Sequence, residues 1–282
     1  MNIKMNKRIS VVLIMSLVFA SSICAQNSMD LSKMKSSFEK RRPKLDIMSA
    51  NPNDYNLTYE AFNVTTRDSI NIASWFIPNK LKKGTVLMVH GFDMNKSHML
   101  KRASLFHKKG YSIILLDLRA RGESGGDKAN TGSKNAIEVA EVYNYYKNNF
   151  ANYGDITLYG FSHGGRAVIF GASMIAKVEK IILESPPYQL GESFKRQYRM
   201  PNAPKISEAP INDALTNISN YPLLLLIGDS DTAIIESEAA NLVEYSSNVN
   251  SKLVIFENTA HNVFSDKNIT KYQNVVFEFI SK

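Results

Sequence analysis

Ile156-Thr157-Leu158-Tyr159-Gly160-Phe161-Ser162-His163-Gly164 decides how this chain is read. A short apolar run ends in Gly-x-Ser-x-Gly. The next eight residues, Gly165-Arg166-Ala167-Val168-Ile169-Phe170-Gly171-Ala172, have the small side chains of a helix packed close to a sheet. Strand, sharp turn and helix in that order form a nucleophile elbow. The turn pushes the serine oxygen out of the backbone, and the flanking glycines leave room for the crowding.

On both sides of the elbow, apolar runs recur at intervals that helical segments fill. Two strands, Leu57 to Val64 and Ile70 to Ile77, are expected around the turn Arg67-Asp68-Ser69. Continuous apolar runs at Thr85 to Val89 and Tyr111 to Leu116 fit strands covered on both faces, and Lys180 to Leu183, Leu223 to Ile227 and Leu253 to Phe256 are expected as further strands. Helices are expected over Lys96 to Lys109, Ser133 to Phe150, Glu236 to Tyr245 and Ile269 to Ile280. Strands alternating with helices imply right-handed crossovers, and so a mostly parallel α/β sheet of about eight strands with helices on both faces. Ser185 to Tyr221 breaks the alternation. It carries Pro186, Pro187, Pro201, Pro204 and Pro210 and is read as a short cap, about residues 185–221, over the site.

Ligands of such sheets bind at the carboxyl ends of the strands, and the candidate catalytic residues fall there. Ser162 is the candidate nucleophile, and a serine hydroxyl needs an adjacent base. His261, in the polar loop Glu257 to Asn262 after the last strand, is that candidate. His98 and His107 fall on an expected helix surface, and His90 and His163 are read as structural. The orienting carboxylate is expected in Gly228-Asp229-Ser230-Asp231, with Asp231 preferred and Asp229 left as the alternative that braces the loop. The chain order Ser162, Asp231, His261 then follows one of three known arrangements of this chemistry. Two backbone N–H groups must meet a developing oxyanion. His163, at the helix N-terminus, and Phe92, in His90-Gly91-Phe92, are the candidate donors.

Four blocks together resemble the α/β-hydrolase superfamily. They are Val86 to Phe92, Asp117-Leu118-Arg119-Ala120-Arg121-Gly122-Glu123-Ser124-Gly125-Gly126, the elbow, and Gly228 to Asp231 with His261 behind it. The resemblance is to its serine-hydrolase branch of small esterases, serine aminopeptidase-like lysophospholipases and prolyl-oligopeptidase relatives. The second block departs from the family pattern, because Ala120 and Arg121 stand where glycine and histidine are commoner. The resemblance implies acyl transfer to water through an acyl-enzyme, on a carboxylic ester or a short peptide, with no cofactor and no metal. Five histidines without paired spacing offer no zinc pattern either. Lys195, Arg196 and Arg199 of the cap could hold a peptide carboxylate, though a solvated face is the plainer reading. A third reading, a non-catalytic binding protein on this fold, is one that fold alone does not exclude.

The 282 residues carry a formal charge of +8. Lys4, Lys7 and Arg8 precede the apolar stretch Ile9 to Ala20 and the small residues up to Ala25, which reads as a signal peptide over residues 1–25. The stretch is shorter than the roughly 20 residues that span a membrane. The expectation is therefore an exported protein, periplasmic or secreted, without stable membrane insertion. Lipid anchoring through Cys24 is the lesser alternative, since bulky Ile23 precedes it. Without the segment, 31 of the 34 basic residues face 26 acidic ones, a net charge of +5. The basic cluster Lys40 to Lys44 lies in a polar leader, residues 26–56, ahead of a domain at 57–282. No basic face with aromatic interleaving suggests nucleic acid. The partner expected is a small molecule.

Overall fold

The computed structural model describes residues 40–130, 132–199 and 211–282. The expected signal peptide, most of the leader's first half and the middle of the cap lie outside the described residues.

Eight strands form one sheet: β1 (Glu60–Thr65), β2 (Asn71–Ile77), β3 (Thr85–Val89), β4 (Ser112–Leu116), β5 (Ile156–Phe161), β6 (Lys180–Glu184), β7 (Leu223–Gly228) and β8 (Lys252–Phe256). Their order is β1-β2-β4-β3-β5-β6-β7-β8. β1 with β2 and β2 with β4 are antiparallel, and every later pair is parallel. This is the mostly parallel α/β sheet the sequence implies.

Among the described residues, seven α-helices accompany the sheet: α1 (Leu100–Lys108), α2 (Ala136–Asn149), α3 (His163–Ala172), α4 (Leu190–Tyr198), α5 (Ile211–Asn217), α6 (Glu236–Glu244) and α7 (Ile269–Ser281). Because successive strand residues point to opposite faces, the apolar runs feed two cores. Leu87, Val89, Leu158, Ile181, Leu183 and Leu225 pack with α2, α3, α5 and α6. Val86, Met88, Tyr159, Ile182, Leu224 and Leu226 pack with α1 and α7.

Three expectations shift in detail. The helix expected from Lys96 starts as a 3-10 turn, Lys96–Met99, and becomes α1 only at Leu100. Asn95 sets that start, its side chain accepting from the Ser97 N–H at 3.0 Å. The expected cap divides. α4 lies over the serine, whereas α5 buries Ile211, Ala214 and Leu215 in the core beside α3. The leader is not wholly ahead of the fold. Arg41 donates to the carbonyls of Ser124 (2.6 Å), Gly122 (2.9 Å) and Gly126 (3.2 Å), Arg42 pairs with Asp93 (2.5 Å), and Leu45 is buried. Arg41 therefore docks this segment on the loop after β4 by satisfying its carbonyls, and Arg42 ties it to the loop after β3.

Candidate active site

Ser162 sits between β5 and α3 with φ 52° and ψ −121°. A positive φ is uncommon for a residue with a side chain. The backbone there is held by Ser162 N donating to Glu184 O at 2.7 Å and by Gly165 N donating to Ser162 O at 2.8 Å. The glycines on either side are steric necessities. A Cβ on Gly160 would lie 2.5 Å from Gly164 O, and one on Gly164 would lie 2.3 Å from Val89 O. The turn thus exists only where strand and helix backbones can nearly touch.

His261, in the loop after β8, places Nε2 2.7 Å from Ser162 Oγ. Its Nδ1 lies 3.0 Å from both Asp231 oxygens. A carboxylate only accepts hydrogen bonds, so Nδ1 carries the proton and Nε2 is left to accept from the serine hydroxyl. The Asp231 side chain is fully buried and also accepts from Ala233 N at 2.7 Å, which fixes its orientation. The structure thus brings together Ser162, His261 and Asp231. Asp229 points elsewhere. It accepts from Asn258 N (2.7 Å) and Thr259 N (3.0 Å), joining the loop after β7 to the one after β8. Those two N–H donors hold its carboxyl below the usual range. Gly228 lets the loops meet, since a Cβ there would lie 1.9 Å from Thr259 O.

His163 is the first residue of α3, where an N–H has no acceptor within its own helix. Phe92 follows β3, and its amide is oriented by neighbours. Leu118 N donates to His90 Nε2 at 3.1 Å, so Nδ1 carries the proton and donates to Gly91 O at 2.7 Å. The peptide is planar, so fixing the Gly91 carbonyl fixes the Phe92 N–H opposite it. Arg121 Nε donates to the Phe92 carbonyl at 2.9 Å, and its guanidinium lies 5.0 Å from the Phe92 ring. The departure from the family pattern at Arg121 therefore touches the loop of a candidate oxyanion donor. Sequence reading leaves His90 and Arg121 as structural, because the Leu118 N–H that sets the His90 tautomer and the Phe92 carbonyl that Arg121 meets are 28 and 29 residues away in the chain. Burial drives His90 and His163 to about 3, so both are neutral well into the acid range.

The serine opens into a cleft of about 40 Å³ lined by Phe92, His163, Pro187, Leu190, Ser193, Phe194 and Gln197. Arg196 and Lys195 do not face substrate as free cations. Arg196 is bidentate to Glu238 (3.1 and 2.6 Å), and Lys195 pairs with Glu192 (2.6 Å). Arg199 ends α4 in a left-handed conformation, φ 52°. Among the described residues, no group of three or more His, Cys, Asp or Glu could hold a metal.

Residues 80–209 match the family model described as serine aminopeptidase, S33. The fold is that of the α/β-hydrolases. Among curated relatives it is similar to the uncharacterised Bacillus subtilis protein YqkD, 24% identical over 243 residues and covering 78% of each chain. It is also similar to the protein bem46 of Schizosaccharomyces pombe, 22% identical over 222 residues, 75% of this chain and 73% of that one. Among solved structures, an esterase of Pyrococcus furiosus matches with a TM-score of 0.75 and 23% identity, covering 83% of this chain and 95% of the esterase. At that identity the likeness speaks for the fold.

Proposed function

We propose that this protein is an exported serine hydrolase that cleaves carboxylic esters with small acyl groups. The observation that carries the reading is the unbroken line from Ser162 Oγ to His261 Nε2 (2.7 Å) and from Nδ1 to both Asp231 oxygens (3.0 Å), opening on one cleft. Ser162 attacks the ester carbonyl while His261 takes its proton. The Phe92 and His163 N–H groups receive the oxyanion. His261 then protonates the departing alcohol, and water repeats the attack on the acyl-enzyme. Asp231 keeps Nδ1 protonated and steadies the imidazolium. No cofactor takes part in these steps.

The cleft has room for about three waters, which suits short acyl chains. Among the described residues, its lining of Pro187, Leu190, Phe194 and their neighbours includes no cation for a peptide carboxylate. Both points support esters over short peptides. Export rests on the residues 1–25 segment.

The test is hydrolysis of p-nitrophenyl esters, from acetate to palmitate, by the mature protein and by Ser162→Ala. Turnover should peak at the short end and vanish in the variant. Turnover that survives Ser162→Ala would refute the reading. A folded protein silent on every ester but active on aminoacyl amides would place the same residues in a peptidase. Failure of the folded protein to react with a fluorophosphonate would return it to the binding-protein reading.

A further inference from the structure

The proposed chemistry leaves unused a buried ion pair beneath the site. Arg102 of α1 and Glu184, which ends β6, are both buried. Arg102 Nε donates to Glu184 Oε2 at 2.8 Å and Nη2 donates to Oε1 at 2.6 Å. The Tyr159 hydroxyl donates to Oε2 as well, and Tyr272 OH lies 2.9 Å from Tyr159 OH. A buried ion pair is weak evidence for stability, because apolar residues of equal volume serve a core as well or better. What it can supply is fixed direction.

That direction is toward the active site. Arg102 Nη2 also donates to Asn262 Oδ1 at 2.8 Å, and Glu184 Oε1 accepts from Phe264 N at 3.3 Å. Asn262 is the residue after His261, and Phe264 comes two later. The guanidinium lies 4.9 Å from the Phe161 ring and 4.6 Å from the Phe264 ring. Phe161 precedes the serine, and its ring meets that of His261 at 5.3 Å. The Glu184 main chain, finally, is the acceptor for Ser162 N. One ion pair therefore ties the strand that presents Ser162 to the loop that presents His261.

We propose that Arg102 and Glu184 are positioning residues that hold the His261 loop, through Asn262 and Phe264, at the distance and angle Ser162 requires. This rests on the Ser162–His261 reading above. Asn262 is exposed, so Asn262→Ala cuts one tether without disturbing the core. That variant should lose about tenfold in kcat and in the rate of fluorophosphonate labelling, with KM and Tm little changed. Asn262→Asp, which keeps the acceptor, should recover most of the loss. Arg102→Gln, where it folds, should lose about 10²-fold in kcat. A purely structural pair would lower Tm and leave kcat and labelling of the folded fraction intact. If Asn262→Ala keeps wild-type kcat and labelling while Ser162→Ala abolishes both, the positioning role is overturned and the hydrolase reading stands. If Ser162→Ala keeps turnover, it is the hydrolase reading that fails.

Discussion

Asp231→Asn separates the two carboxylates in the loop after β7, and the structure gives the reason in atomic terms. Ala233 N donates to Asp231 Oδ1 at 2.7 Å. In the asparagine variant that N–H needs an acceptor, so the amide oxygen stays with Ala233. The amide NH₂ is then turned toward His261 Nδ1, where it can only donate. Nδ1 becomes an acceptor, the ring proton moves to Nε2, and Nε2 can no longer take the proton of Ser162. In a serine protease with the same three roles, such a tautomer switch costs about 10⁴-fold in kcat. Four decades correspond to about 5.4 kcal/mol of lost transition-state stabilisation. The Ala233 contact survives and no charge is left buried, so Tm should hold. Asp229→Asn gives the contrast. It loosens Asn258 and Thr259 at an exposed brace and should cost no more than about tenfold. The assay is p-nitrophenyl acetate turnover alongside thermal unfolding of both variants. An Asp231→Asn enzyme within about tenfold of wild type, or an Asp229→Asn enzyme that is the more damaged of the two, would refute the assignment.

The features that could be read in the sequence share one property: each is written in neighbouring residues. The apolar runs announce strands, and β3, β4, β5, β6 and β7 prove buried along their whole length, whereas β8 at the sheet edge is half-buried. Gly160 and Gly164 announce a turn that only glycine tolerates, and the structure shows which backbone atoms they make way for. Asp231 and His261 sit in loops that end strands, so sheet topology alone brings them near Ser162. The features that could not be read are written in pairs far apart in the chain. Arg102 and Glu184 are 82 residues apart, and an arginine in the polar-rich stretch Leu100–Lys108 looks like a solvated residue. Arg41 meets Ser124 across 83 residues, so a basic segment that resembles a tether docks instead. Polar composition reports that a group needs partners; it does not say whether water or a distant carbonyl supplies them. The same ambiguity hid α5, whose three buried apolar positions lie in a stretch broken up by prolines.

Packing and burial give two more tests. Gly164→Ala would drive a Cβ to 2.3 Å from Val89 O and 2.5 Å from His90 O, both main-chain atoms that cannot swing aside. It should cost about 1–3 kcal/mol or more in urea unfolding and displace the Phe92 loop, with a matching fall in ester turnover; wild-type stability and turnover together would contradict the close approach. The second concerns His90 and His163, whose buried rings resist protonation down to about 3. In the unfolded chain each titrates near 6.5. The folded value is depressed, so at mildly acid pH the unfolded state binds two protons that the native state refuses. Stability is therefore full above about pH 6.5 and is lost as the pH falls from there toward about 3. Near pH 5 the two histidines together contribute a slope of about 2.7 kcal/mol per pH unit. Urea unfolding at several pH values between about 7 and 5 reads that slope, and His90→Gln should roughly halve it. A stability that stays flat over the interval would mean that both rings gain protons in the native state, and the neutral His90 that orients the Gly91–Phe92 peptide would have to be abandoned.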